Sequence, residues 1–327
     1  GCVVLDNGEK VQYDKLLVAT GSKPFVPPMK DIDKVEDKFT FMTWDSAKAI
    51  REKVTAGTKV LIIGAGLIGL KCAEALHHLN ADITVVDLAD RILPSILDVR
   101  AGEIMQKHIE DKGTKFILGT SVEQFSKNSA KLTNGETVDF DILVIAVGVR
   151  PNTELVSDAG GKVEKGIITD LHQQTTIDNV YAAGDCTVSH DCSSNTDRIL
   201  ALLPNAFMQG EVAGKNMAGE ETLYLNAIPM NAIGFYGLHI ITAGSYDGDE
   251  DITEDADKEI YKKLVFKDGL LKGFILMGDV ARAGIYTSMI KEQIPLTEVD
   301  LDLLRDKPQM MMFGKARREE KLAGKKH

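Results

Sequence analysis

The chain has 327 residues, 44% hydrophobic and 27% charged, the proportions of a soluble globular protein long enough for two or three domains. Its 38 Lys and Arg against 49 Asp and Glu give a formal net charge of −11, which argues against a nucleic-acid partner. No apolar run reaches membrane-spanning length and no secretory signal pattern opens the chain. Cys2, Cys72, Cys186 and Cys192 show no C-x-x-C spacing, so free thiols, a cytoplasmic setting and no metal site are expected.

In chain order, residues 3–24 read as a hairpin with Asn7-Gly8 as a two-residue turn, then a buried strand that ends at Gly21. Pro24, Pro27 and Pro28 mark residues 22–43 as a crossing loop, and residues 44–54 read as a helix capped by Thr43 or Asp45. Residues 59–87 then carry the pattern strand, tight turn, helix, strand. Val60 to Ile63 is continuously apolar, as a strand buried on both faces must be. Gly64, Gly66 and Gly69 follow in G-x-G-x-x-G spacing, with Leu67 and Ile68 between the last two. The first glycine allows the turn, the second lets backbone approach a pyrophosphate, and the third lets helix pack on strand. The helix that opens here would aim its free N–H groups and positive dipole end at the phosphates. Asp87, 23 residues after Gly64, ends the second strand where a carboxylate accepts hydrogen bonds from an adenosine ribose. That favours NAD over NADP, and Arg91 nearby weakens the preference.

A helix over 99–112 ended by Gly113, a strand over 115–119, a second Asn-Gly hairpin at 134–135 and a strand over 141–147 complete this unit. Short strands follow between 166 and 184, the second ending in Gly184-Asp185, and a helix over 204–217 starts with Pro204 in its first turn. Beyond residue 223, strands over 231–244 and 258–278, the latter turning at Asp268-Gly269, precede helices near 283–293 and 296–305. The acidic run 247–257 reads as a solvated loop, residues 310–312 as a packed or dimer-facing methionine patch, and the basic stretch 315–327 as a frayed tail. Cys72 reads as core, His77-His78 as a helix-end charge, and Cys186 and Cys192 as no pair.

The chain also repeats itself. Residues 3–24 align without a gap on 130–151 at a constant offset of 127, matching Leu5 to Leu132, Asn7-Gly8-Glu9 to Asn134-Gly135-Glu136, Gly21 to Gly148 and Pro24 to Pro151. In the second copy the glycine turn precedes Asn134 by 70 residues. The equivalent turn of the first copy would precede Gly1, so a chain that has lost its first glycine turn is expected.

These motifs resemble the FAD- and NAD-dependent pyridine nucleotide-disulfide oxidoreductases, in the branch with NADH oxidases, NADH:rubredoxin reductases and nitrite reductase large subunits. Ala19-Thr20-Gly21, the turn at 64–69, residues 147–152 and Ala182-Ala183-Gly184-Asp185 carry the resemblance, over residues 16–217. It implies an α/β fold of two Rossmann-like domains, one FAD-type and incomplete, one NAD-type and complete, plus a C-terminal α+β domain. The implied domains are 1–43 and 153–222 for FAD, 44–152 for NAD, and 223–327 for an interface or dimerisation domain. It implies that Asp185, with Gly184, Thr20 and Gly21, serves FAD, that the helix near Pro204 faces the flavin ring, and that Gly148 sits where nicotinamide meets flavin. Electrons would pass from NADH to FAD and on to an acceptor protein, a small-molecule acceptor or a subunit of a larger complex, with a homodimer among the options. A cysteine-dependent NADH oxidase or coenzyme A-disulfide reductase, and an electron-transfer subunit with little turnover alone, are the competing expectations. No catalytic residue is assigned. No His-Pro with a downstream Glu appears near the C-terminus, against a glutathione-reductase-like dithiol enzyme. Lys71 stands where that family usually places a glutamate, and a phosphate or carboxamide contact is its expected alternative role.

Overall fold

The computed structural model describes residues 1–323; the last four residues of the basic stretch lie outside the described residues. Five parallel strands form the central sheet, in the order Lys38–Thr40, Ile142–Ile145, Lys59–Ile63, Asp82–Val86, Lys115–Ile117. The alternation of the strands sorts their side chains onto two cores. Val60, Ile62, Val85, Ile142 and Val144 meet Leu70, Ala73 and Leu76 of helix Leu67–His77 and Met105 and Ile109 of helix Val99–Glu110. Leu61, Ile63, Val86, Leu143 and Ile145 meet Phe125, Ala130, Leu132 and Phe140 on the other side. A strand covered on both faces has no polar position, which is why Val60–Ile63 and Ile142–Ile145 read as unbroken apolar runs. Each such buried aliphatic side chain contributes roughly 1.5–3 kcal/mol of transfer free energy.

The internal repeat is a repeat of structure. Strands Cys2–Val4 and Lys10–Gln12 pair as Cys2↔Gln12, Val3↔Val11, Val4↔Lys10, and 127 residues later Ser129–Leu132 and Thr137–Asp139 pair as Ser129↔Asp139, Ala130↔Val138, Lys131↔Thr137. The loops are also the same, but they are not the expected two-residue turns. Leu5 donates to Glu9 O and Gly8 to Leu5 O, as Leu132 donates to Glu136 O and Gly135 to Leu132 O. Each is a three-residue loop in which only the glycine has positive φ (84° at Gly8, 91° at Gly135). A two-residue type I′ loop needs positive φ at the asparagine as well; here Asn7 and Asn134 instead accept from the amides of Glu9 and Glu136.

Strand Leu16–Val18 pairs in parallel with Val180–Ala182, just as its twin Ile142–Ile145 pairs with Lys38–Thr40. The twin has a second neighbour, the glycine-turn strand Lys59–Ile63; among the described residues Leu16–Val18 has none. A further three-stranded sheet, Ile167–Ile168, Thr187–Asp191 and Thr196–Arg198, contains a hairpin that the motif reading passed over. Its turn is built on the fully buried Asp191, which accepts from the amide and hydroxyl of Ser193 and the hydroxyl of Ser194.

The C-terminal region is a five-stranded antiparallel sheet in the order Met230–Phe235, Leu238–Gly244, Leu270–Met277, Ile260–Lys267, Asp249–Asp255. The acidic run is therefore not a loop. Asp249–Asp255 is an edge strand, and its carboxylates are paired by Lys263 on Glu250, Arg305 on Asp251, Arg100 on Glu254 and Lys258 on Asp255. Charge along an edge blocks pairing with another chain, so the acid content is explained without a basic partner. One sheet face, with Phe235, Ile240, Tyr261 and Ile275, shares the core of helices Leu67–His77 and Val99–Glu110. The other, with Leu264, Phe274 and Leu276, lies under Tyr286, Met289 and Ile290 of helix Ala283–Lys291. Of the helix expected over 296–305, a 3-10 turn at Leu296–Glu298 and a helix at Leu301–Arg305 form. The basic stretch expected to fray is a helix over Lys315–Ala323. No helix among the described residues is long and apolar enough to cross a membrane.

Candidate dinucleotide-binding site

At the head of strand Lys59–Ile63 the chain turns so tightly that two glycines have no substitute. Gly64 has φ +113°, and a Cβ there would lie 2.3 Å from Ala146 O. A Cβ on Gly69 would lie 1.9 Å from Gly64 O, so the helix rests directly on the turn's backbone. Gly66 is different: nothing lies within 4 Å of its Cβ direction, which leaves open room in front of the helix it caps. That cap has no side-chain bond, so the first-turn amides after Gly66 are left for an outside acceptor. Leu67 and Ile68 supply those amides while their side chains pack half-buried on the core.

Asp87 follows strand Asp82–Val86 and ties the turn to the next loop, its Oδ2 accepting from Ala65 N at 2.6 Å and its Oδ1 from Ala89 N at 2.7 Å. Arg91, four residues on, has one terminal nitrogen 3.2 Å from Asp90, and its Nε is buried without a partner. The loop is closed by Leu93 N donating to Ala65 O. Gly148 (φ +114°) leaves the neighbouring strand with open space over its Cβ direction.

Lys71 does not face this turn's open side. Its ammonium donates to Gly234 O at 2.7 Å, pairs with Glu74, and lies 5.4 Å from the Phe235 ring centroid. Glu74 in turn accepts from Tyr236 N at 2.6 Å. The lysine thus fastens the glycine-turn helix to the C-terminal sheet, which accounts for it without the phosphate or carboxamide contact.

The second group of sequence-chosen residues also comes together. Strands Leu16–Val18 and Val180–Ala182 place Thr20-Gly21 beside Gly184-Asp185, and Ser22 Oγ donates to Asp185 Oδ2 at 3.1 Å. Gly184 has φ +85° and donates to Oε1 of the buried Gln209 at 2.6 Å. Helix Leu203–Met217 begins above this turn with Pro204 in its first turn and no side-chain cap, and Leu203 and Phe207 project outward. Ser22 and Gln209 were not singled out from the sequence; only Ser22, next to Gly21, carried a signal.

The two groups join at one antiparallel contact. Strand Ser22–Pro24 pairs with its own repeat, Val149–Pro151, as Ser22↔Pro151, Lys23↔Arg150 and Pro24↔Val149. Thr20 Oγ1 donates to Asn152 O at 2.6 Å, Asn152 Nδ2 returns a bond to Thr20 O at 2.9 Å, and the Arg150 guanidinium lies 4.0 Å from the Phe25 ring centroid. The cysteines take no part: Cys72, Cys186 and Cys192 are buried and unpaired, and burial pushes the Cys72 thiol up to about 12.

Two nucleotide-type units built from one repeated strand–glycine design define a double-dinucleotide redox fold. The chain belongs to the pyridine nucleotide-disulphide oxidoreductase family, whose profile matches residues 1–210, and residues 229–294 match the rubredoxin NAD+ reductase C-terminal domain. FAD and NADH are the cofactors of this family. The chain is 33% identical over 90% of its length to the NADH-dependent phenylglyoxylate dehydrogenase subunit epsilon of Aromatoleum evansii, covering 72% of that protein. It is 32% identical over 89% of its length to the assimilatory nitrate reductase electron transfer subunit of Bacillus subtilis, covering 38% of it. An NADH oxidase of Methanocaldococcus jannaschii is 38% identical over 68% of the chain, which spans about half that relative's length (51%). Among solved structures, a NAD-dependent persulfide reductase from A. fulgidus superposes with a TM-score of 0.81 at 26% identity, over 91% of this chain and 60% of that one.

Proposed function

We propose that the chain binds NADH at the Gly64–Gly69 turn and Asp87, and that it forms the Thr20-Gly21 and Gly184-Asp185 wall of a flavin site. Electrons would leave this site for a redox protein or partner subunit. When bound, the cofactors supply hydride transfer from nicotinamide to flavin. This chain's part is placement: Gly148 offers no side chain where the rings would meet, Ser22 holds Asp185, and the uncapped start of helix Leu203–Met217 faces developing negative charge. The observation that carries the reading is the reciprocal pairing of Ser22–Pro24 with Val149–Pro151, which fixes the exit of one nucleotide unit against the exit of the other.

The segments 1–43 and 153–222 are assigned to the FAD-type unit, 44–152 to the NAD-type unit and 223–327 to the C-terminal unit; the separate sheets support this division except at its first boundary, where Lys38–Thr40 is already an edge strand of the NAD-type sheet. A partner-subunit role is favoured over a free-standing oxidase because, of three relatives matched over 89–90% of the chain, two are named as subunits and one as a nitrite reductase, whereas NADH oxidases match 68–72%. A cytoplasmic setting fits the four unpaired cysteines.

The test uses the longest reading frame that contains these residues. Anaerobic NADH is expected to bleach its flavin absorbance faster than NADPH does, and Gly148→Val is expected to slow bleaching while flavin stays bound. No bleaching by NADH, or the same rate in the variant, would overturn the proposal.

A further inference from the structure

A cavity of about 840 Å³ opens on the seam between strands Ile167–Ile168 and Thr187–Asp191 and the end of helix Ala283–Lys291, away from the glycine turn. Leu171, Val188 and Leu225 give it an apolar wall. Three side chains with unused hydrogen-bonding capacity line it as well, all nine-tenths or more buried: Gln173 at 1% exposure, Tyr224 at 3% and Ser189 at 4%. The Gln173 Oε1 and the Tyr224 hydroxyl have no partner. Ser189 Oγ accepts from Gln209 Nε2 at 2.6 Å, which leaves its own hydrogen free to donate. Buried polar groups are paired in most proteins, so three unfilled positions in one cavity point to something that fills them. Gln173 is moreover held in the left-handed region at φ 63°, a conformation that surrounding structure must enforce on a side-chain-bearing residue.

Charge decides what that something is. The acids of the wall are already engaged: Asp170 caps the amides of His172 and Gln174, Asp197 holds His190, and Glu292 holds Lys321 and Ser288. Lys291 is half-buried at the rim and forms no ion pair or hydrogen bond among the described residues. Lys291 and the hydroxyls of Tyr224 and Ser189 can therefore donate, beside the side-chain amides of Asn195, Asn226 and Gln293 and aliphatic surface, while the orphaned Gln173 Oε1 can only accept. We propose that this cavity binds a small organic carboxylate with an apolar body, its carboxylate held by Lys291, Tyr224 and Ser189. The Gln209 carboxamide that touches Ser189 also receives the Gly184 amide, so the occupied cavity is linked by two hydrogen bonds to the Asp185 turn.

The test is calorimetric titration of the 327-residue chain with hexanoate and with hexan-1-ol, which needs neither flavin nor NADH and so stands apart from the redox reading. Saturable one-site binding of hexanoate is expected, weaker by about tenfold or more in Lys291→Met and in Tyr224→Phe, the loss of one charge-assisted hydrogen bond each. Both variants keep the packing volume of the parent residue, and matching thermal unfolding curves confirm the fold. Absence of saturable hexanoate binding, equal affinity for hexan-1-ol, or unchanged affinity in both variants would overturn the proposal.

Discussion

Gly21 and Gly148 occupy equivalent places in the repeat, and each accepts a backbone hydrogen bond from the other's copy. Asn152 N donates to Gly21 O and Phe25 N donates to Gly148 O, both at 2.9 Å. Phe25 and Asn152 are themselves equivalent at the offset of 127, so the contact is a local two-fold between Lys23 and Arg150. Two strand ends that diverge from separate sheets are held together there by their own duplicated sequence.

The three glycines of the turn should separate fold from binding. Gly69→Ala forces a Cβ into Gly64 O and should lower stability by about 1–3 kcal/mol, as overpacking does, along with NADH affinity. Gly66→Ala meets nothing in the free protein, so its urea midpoint should match the parent while NADH affinity falls. Equal destabilisation by both would contradict this account of the turn.

Asp87 serves structure and selectivity together. Asp87→Ala removes the acceptor for Ala65 N and Ala89 N and should cost about 1–3 kcal/mol in denaturant unfolding. The same variant removes the carboxylate that would repel a 2′-phosphate, so it should lower the NADH-to-NADPH affinity ratio measured by fluorescence titration.

Lys71 should report on the seat of the C-terminal sheet. Its bond to Gly234 O is lost in Lys71→Met, and because the side chain is 41% exposed its pairing with Glu74 adds little, so a loss of about 1 kcal/mol is expected by chemical denaturation. The affinity for NADH should stay at the parent value.

The same seat should loosen in acid. Burial pushes the Asp98 carboxyl up, but the Ala101 amide, the Tyr261 hydroxyl and the Lys263 ammonium outweigh it and hold Asp98 below the usual aspartate range. A carboxyl lowered in the folded state contributes stability above its unfolded value and loses it as pH falls through the lowered one. Lys263 is raised in spite of its burial, by Glu250 and Asp98, so its contribution is lost only on the far alkaline side. Asp98→Asn should therefore unfold at a lower temperature than the parent near neutrality, with the gap closing as pH falls below the ordinary aspartate range.

Expressed by itself, the 327-residue chain should bind NADH yet fail to retain stoichiometric flavin. Strand Leu16–Val18 has only Val180–Ala182 beside it among the described residues, whereas its twin also has the glycine-turn strand. A yellow protein with one flavin per chain after gel filtration would contradict this.

The glycine turn, the hairpins with identical register and the strands ending at Gly21, Gly148 and Gly184 were legible in the amino-acid order. Each is a local demand: positive φ, a close backbone approach or a doubly buried strand restricts residue type within a few positions. The repeat added long-range information because two copies at one offset must fold alike. The rest was decided by chain segments far apart in sequence. Lys71 reaches Gly234, Asp98 reaches Lys263, the edge-strand acids find their cations, and Gln173, Ser189, Tyr224 and Lys291 meet around one cavity. Nothing within a few residues of any of these records its partner, since side-chain pairing across sheets depends on where the backbones cross, and only the folded chain sets that.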